Sequence, residues 1–226
     1  MILILILIIG FANAARISVA PEGADYSSIQ QALNNASDGD VIEVQSGHYM
    51  EHVHVLHSVA LIGLDTGSGR PVVDANKSST AITLRANGTR IEGFNLTGSG
   101  GCGCGNAGIL VDSSDNIIRN NILYKNRYGI YIEEGAVNNT IYSNDFLENR
   151  VPANDTGGNR WSMEVKEGGL LGLFKAAKPT GNHYSDYDEP GEGCNDTNLD
   201  GFCDEARMIG KGPGIDEHPL TAPVNV

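Results

Sequence analysis

The stretch "NIIRNNILYKN" (residues 116–126) decides the fold once it is laid over "NTIYSNDFLEN" (residues 139–149). Asparagine falls on asparagine at both ends, Ile118 on Ile141 and Asn121 on Asn144, at an offset of 23 residues. "GILVD" (108–112) matches "GIYIE" (129–133) at an offset of 21, and "AITLR" (81–85) resembles both. Short runs of alternating apolar residues therefore recur about every two dozen positions, separated by Asn, Gly, Asp and Ser, the residues that make turns.

A strand of that length cannot bury its apolar side alone. Successive turns of chain stacked about 4.8 Å apart form parallel sheets around one continuous Ile/Leu/Val core. The pattern predicts an all-β fold, a single-stranded right-handed parallel β-helix. Its inward positions are Ile82, Leu84, Ile91, Ile109, Val111, Ile118, Ile130, Ile132 and Ile141. Asn121 over Asn144 predicts an asparagine ladder at a coil corner, where side-chain amides satisfy turn backbone and one another. The open end of such a solenoid needs a cap. "DYSSIQQALNNASDGDVIEV" supplies an amphipathic helix with Ile29, Ala32, Leu33 and Ala36 on one face, a capping box from Ser27 and Gln30, and a turn into a strand over residues 41–44.

The first residues, "MILILILIIGFANAA", read as a secretory signal peptide cut after Ala14: an apolar run too short to span a bilayer, followed by a small-x-small site. No later apolar run reaches about 20 residues, which predicts a secreted, cell-surface or periplasmic location for the mature chain. The net charge of -13 argues against a nucleic-acid partner, which requires a basic face to release counterions. Seven Asn-x-Ser/Thr sequons, at Asn35, Asn76, Asn87, Asn95, Asn138, Asn154 and Asn195, offer glycosylation sites. Four cysteines, Cys102, Cys104, Cys194 and Cys203, can pair after export and allow three connectivities.

"YSSIQQAL" followed by "DGDVIEVQSGHYMEHVHVLHSVALIG" resembles the opening coils of pectin-lyase-like β-helices, and more narrowly of the NosD-like proteins. "GNHYSDYD" (181–188), an Asp-rich loop and "IDEHPL" (215–220) resemble the closing pattern of that family, with Tyr184 where tryptophan is usual. The resemblance implies the β-helix fold and a link with copper-enzyme maturation. It divides the chain into a signal peptide (1–14), a helix-capped β-helix (15–150) and a closing segment (151–226) that holds an insert (163–179) and an acidic loop (194–205).

Within that loop Asp196, Asn198 and Asp200 stand at alternate positions. Gly201 permits a sharp turn, and the Phe202 carbonyl and Asp204 follow. Hard oxygen donors at that spacing suit Ca²⁺; Glu205, Asp188 or Glu189 could complete the shell, and a solvated acidic turn is the alternative. Cys194 and Cys203 bracket the loop, a geometry that clamps it if they pair. Cys102 and Cys104 lie in a glycine-rich excursion, as a disulfide or as two soft ligands for copper or zinc. Met50, His52 and His54 share the outward face of one strand, a second and weaker copper candidate. Arg85, Asp112 and Glu133 fall on one outward ladder by the repeat alignment, the candidates for a polysaccharide lyase or hydrolase. Tyr124, Tyr128, Tyr131 and Tyr142 are either sugar platforms or turn packing. The reading that unites these features is a non-catalytic exported module that presents a rigid face to polysaccharide or to a cell-envelope protein.

Overall fold

The structure is a computed structural model that describes residues 14–101, 105–165, 177–210 and 212–225. The signal peptide before Ala14, Cys102 and Cys104, and most of the 163–179 insert lie outside the described residues.

Three parallel sheets wrap one core, and the chain passes through them in turn to complete a coil, about six coils in all. Sheet I stacks Arg16–Val19, Val41–Gln45, Ala60–Leu64, Arg90–Glu92, Ile117–Arg119 and Thr140–Tyr142. Sheet II stacks His48–Tyr49, Val72–Asp74, Asn95–Thr97, Ile122–Tyr124, Asp145–Leu147 and His183–Tyr184. Sheet III stacks Val53–Val55, Ile82–Leu84, Ala107–Val111, Tyr128–Ile132 and Val151–Asn154. This is the right-handed parallel β-helix that the repeats predict.

Register follows the repeat alignment. Ile82, Ile109 and Ile130 are successive partners in sheet III, and Ile91, Ile118 and Ile141 in sheet I. All nine predicted inward residues are fully buried. Each such side chain stabilises by about 1.5–3 kcal/mol through removal from water, so the stacked columns supply the main driving force.

The corners explain the asparagines. A non-glycine residue in the left-handed region precedes each ladder residue: Asp115, Asn120 and Lys125 in one coil, Asn138, Ser143 and Glu148 in the next. The bend is sharp and exposes backbone N–H groups inside it, which the side-chain amides then satisfy. Asn121 donates both its backbone N–H and its Nδ2 to Asn144 Oδ1, and Asn144 does the same to Asn182 Oδ1. A parallel ladder runs from Asn116 through Asn139 to Asn159.

At the N-terminal end helix α1 (Ile29–Asn34) lies across the first coil with Ile29, Ala32 and Leu33 buried. Its N-cap is Ser28, whose side chain accepts from the Gln31 N–H, rather than the expected box of Ser27 and Gln30. The reciprocal carboxylate comes from the next coil. Glu51 accepts from the Ile29 and Gln30 N–H groups and from the Ser28 hydroxyl, which leaves Gln30 to tie the helix to the His54 backbone.

At the C-terminal end Phe146 stacks on Tyr184 at 5.0 Å between ring centroids and tilts against buried Trp161 at 6.3 Å. Met163–Val165 and Lys178–Thr180 form an antiparallel ribbon at the base of the insert.

Candidate functional site

The outer side of sheet III carries charged and aromatic side chains that a ligand can reach. Alternation that turns Val53, Ile82, Ile109 and Ile130 inward turns His54, Thr83, Leu110, Tyr131 and Asn154 outward as one ladder. Two residues further along each strand, Arg85, Asp112 and Glu133 continue the stacking: the Asp112 N–H bonds to the Leu84 carbonyl and the Glu133 N–H to the Val111 carbonyl. Arg85 Nε lies 3.6 Å from Asp112, with both side chains about half exposed, so the pair remains accessible to a ligand. A solvated ion pair of this kind contributes little to stability.

Beside this column Tyr128 and Tyr131 meet edge to face, 5.0 Å between centroids. The Arg127 guanidinium sits 5.6 Å from the Tyr128 centroid and also bonds the Gly101 carbonyl. Partial burial, followed by the nearby Glu133 charge, pushes the Tyr131 hydroxyl above its ordinary pKa, so it stays a neutral donor at any physiological pH. An aromatic pair flanked by a guanidinium and carboxylates is suited to stacking and hydrogen bonding with hydroxylated ligands. Of the other tyrosines, Tyr142 is turn packing, buried against Arg119, and Tyr124 lies under the Lys125 ammonium.

The acidic loop is closed by the Cys194–Cys203 disulfide. Asp196 accepts from the Asp200 and Gly201 N–H groups, Asp200 from Phe202 N–H, and Asp204 from the Thr197 N–H and hydroxyl. Asn198 exchanges bonds with Asp200. The carboxylates thus fold the turn around their own oxygens. Among the described residues no group of three or more His, Cys, Asp or Glu side chains is placed to hold a metal ion.

The copper candidates divide. His52 bonds the Thr80 carbonyl through Nδ1 and the Ser78 hydroxyl through Nε2, so both ring nitrogens have protein partners. Met50 and His54 are exposed, and Cys102 and Cys104 lie outside the described residues. The described residues do not fit a copper centre.

Sequence reasoning missed the acceptors that end the ladders. Asp216 Oδ2 accepts from the Asn182 N–H and Nδ2 and from the Tyr184 hydroxyl, and Oδ1 accepts from the His218 N–H. Asp155 ends the other ladder by accepting from Asn159 Nδ2 and Trp161 Nε1. It also missed Asp145, fully buried, which holds the Val224 and Asn225 N–H groups of the C-terminal tail. Burial raises the Asp145 carboxyl above the ordinary range, opposed by those two backbone donors.

Stacked coils, inward aliphatic ladders and asparagine corners define the class, a right-handed parallel β-helix protein. The sequence matches the family model described as "Periplasmic copper-binding protein (NosD)" over residues 62–189, more than half of the chain, and the chain belongs to the NosD family. A cell surface glycoprotein of Methanothermus fervidus is 33% identical over 101 residues, which is 43% of this chain and 16% of that relative. The chain therefore spans well under a fifth of the length of the curated relative it matches. No helix of the described residues is long and apolar enough to cross a membrane.

Proposed function

We propose that this protein is an exported, surface-displayed β-helix module that binds envelope glycan along the outer side of sheet III without cleaving it. The observation that carries the reading is the row of Arg85, Asp112 and Glu133 beside the Tyr128–Tyr131 pair, two rings set edge to face with donors and acceptors around them on a rigid sheet. Similarity to a cell surface glycoprotein supports a location at the envelope. Both ends of the solenoid are covered, so a polymer can engage only its sides.

The test is a glycan array with product analysis on the wild type and on Tyr131→Ala and Arg85→Ala. Retained polymer that both variants lose supports the reading. Shortened products, lost on Asp112→Asn or Glu133→Gln, would instead make the protein a lyase or hydrolase.

The acidic loop enters this reading as a structural Ca²⁺ site formed by Asp196, Asn198, Asp200, the Phe202 carbonyl and Asp204. Support comes from the donor types, all hard oxygens at alternate positions around Gly201, which sits at φ 91°. Calorimetric titration should give saturable binding in wild type and none in Asp200→Ala; no heat in either would remove calcium from the account.

A further inference from the structure

Loop residues 65–70 border an open depression of about 370 Å³ on the outer side of sheet II that belongs to neither site above. Its floor is a single outward ladder, Val72, Asn95 and Ile122, an amide between two aliphatic side chains. Arg70 and Asp65 form one side. The other is Asn225 of the C-terminal tail, fixed through Asp145 and through its own Nδ2 to the Ser143 carbonyl at 2.8 Å.

The chemistry of the pocket narrows the ligand. Arg70 uses one N–H on the Asn120 carbonyl and one on Asn225 Oδ1, out of the five a guanidinium carries. Asp65 spans the loop by accepting from the Gly67 and Gly69 N–H groups and balances the Arg70 charge, so the pocket does not select an ion. Asn95 Oδ1 is buried with no hydrogen-bond partner, a state that native proteins seldom leave uncompensated. Rotation about the Asn95 terminal torsion, which is broad and soft, brings that acceptor to a hydroxyl above it. Aliphatic patches on either side of the amide match the C–H face of a pyranose, and a depression of about 370 Å³ has the room for one such ring.

We propose that this pocket binds a single neutral hexose, its ring over Val72 and Ile122, with hydroxyls accepting from Arg70 and donating to Asn95. The site is separate from the sheet III face and does not depend on it. The Asn95-Leu96-Thr97 sequon adds a constraint: on this assignment Asn95 recognises a sugar and does not carry one.

The test is an NMR titration of the full mature chain with glucose, galactose and mannose, each alone at millimolar concentration. At least one should shift the side-chain amides of Asn95 and Asn225 saturably. Asn95→Val, a substitution that suits a strand, should weaken that binding about tenfold or more, as should Arg70→Gln. Tyr131→Ala should leave it unchanged. The proposal is overturned if none of the three sugars gives saturable shifts, if Asn95→Val binds as wild type, or if mass spectrometry finds a glycan on Asn95.

Discussion

At the N-terminal end six residues of helix cover the first coil, whereas the C-terminal end is closed by three packed aromatic rings, a disulfide and two buried carboxylates. The asymmetry follows from the direction of the ladders. Each ladder asparagine gives its backbone N–H and one Nδ2 hydrogen to the amide oxygen of the next coil and returns the other Nδ2 hydrogen to a carbonyl of the preceding coil, so each Oδ1 of a ladder accepts from the coil before it. The first coil receives none and needs only apolar cover. The closing segment receives two of the ladders, and a further asparagine there would itself need another partner. A carboxylate only accepts, which is why Asp216 and Asp155 stand where the ladders stop.

Removal of the acceptor should break this arrangement most severely. Asp216→Leu leaves the buried Asn182 backbone N–H and Tyr184 hydroxyl, and the half-buried His218 N–H, without their acceptor, and we expect a loss of about 4 kcal/mol in urea denaturation. A loss below about 1 kcal/mol would mean that the aromatic stack alone closes this end. Asp155→Leu provides the comparison on the second ladder.

Acidity should separate the two ends. Burial raises the Asp216 carboxyl to about 6, despite four hydrogen bonds that favour the ionised form. Its protonated form is thus favoured by folding. That contribution is complete below the ordinary carboxylate pKa of 3.8 and is lost as pH rises through about 6, a change of about 3 kcal/mol. Asp25 and Asp40 behave in the opposite sense. Bonds from Ser18 lower Asp25 and backbone bonds from Ser37 and Ala15 lower Asp40, so their contributions are present above the ordinary value and disappear in acid. Urea midpoints at pH 4.5 and pH 7, compared between wild type and Asp216→Asn, isolate the C-terminal contribution. An identical pH response in the two proteins would refute it.

The disulfide should matter somewhat less. Cys194 and Cys203 are nine residues apart, and closing so short a loop restricts the unfolded chain by about 2.5 kcal/mol. Cys194→Ser with Cys203→Ser should lower the melting temperature and free the Asp-rich turn while leaving the sheet registers intact by hydrogen exchange.

The middle coils were legible because identical physics recurs there. Ile118 over Ile141 and Asn121 over Asn144 gave register, inward face and corner from the letters alone. The five-residue spacing of Asn116, Asn121 and Asn126 also marks the three corners of one coil, a signal open to sequence reading but not drawn from it. The closing segment was legible only as a resemblance. "GNHY" and "IDEHPL" carry Asn182, Tyr184 and Asp216, but nothing local says that residues 34 apart will share a hydrogen bond. Likewise the sugar-type pocket depends on a tail residue, Asn225, meeting Arg70 across 155 positions of chain, which no short-range pattern encodes. The candidate face on sheet III lies between these cases. Its charged ladder follows from the repeat, while the edge-to-face contact of Tyr128 with Tyr131 depends on rotamers.

The smallest effect sharpens the contrast from the other end. Glu51 reaches from the second coil to the first turn of α1, where it accepts from two exposed-end N–H groups and favours the positive end of a short helix. Apolar cover by Ile29, Ala32 and Leu33 persists without it, so Glu51→Ala should cost only about 1 kcal/mol. Its mark should be local: faster hydrogen exchange at Ile29 and Gln30, with rates in the sheet II and sheet III strands unchanged. If exchange instead rose throughout the first three coils, the helix would be a structural keystone rather than a lid, and the two ends of the solenoid would differ less than their chemistry implies.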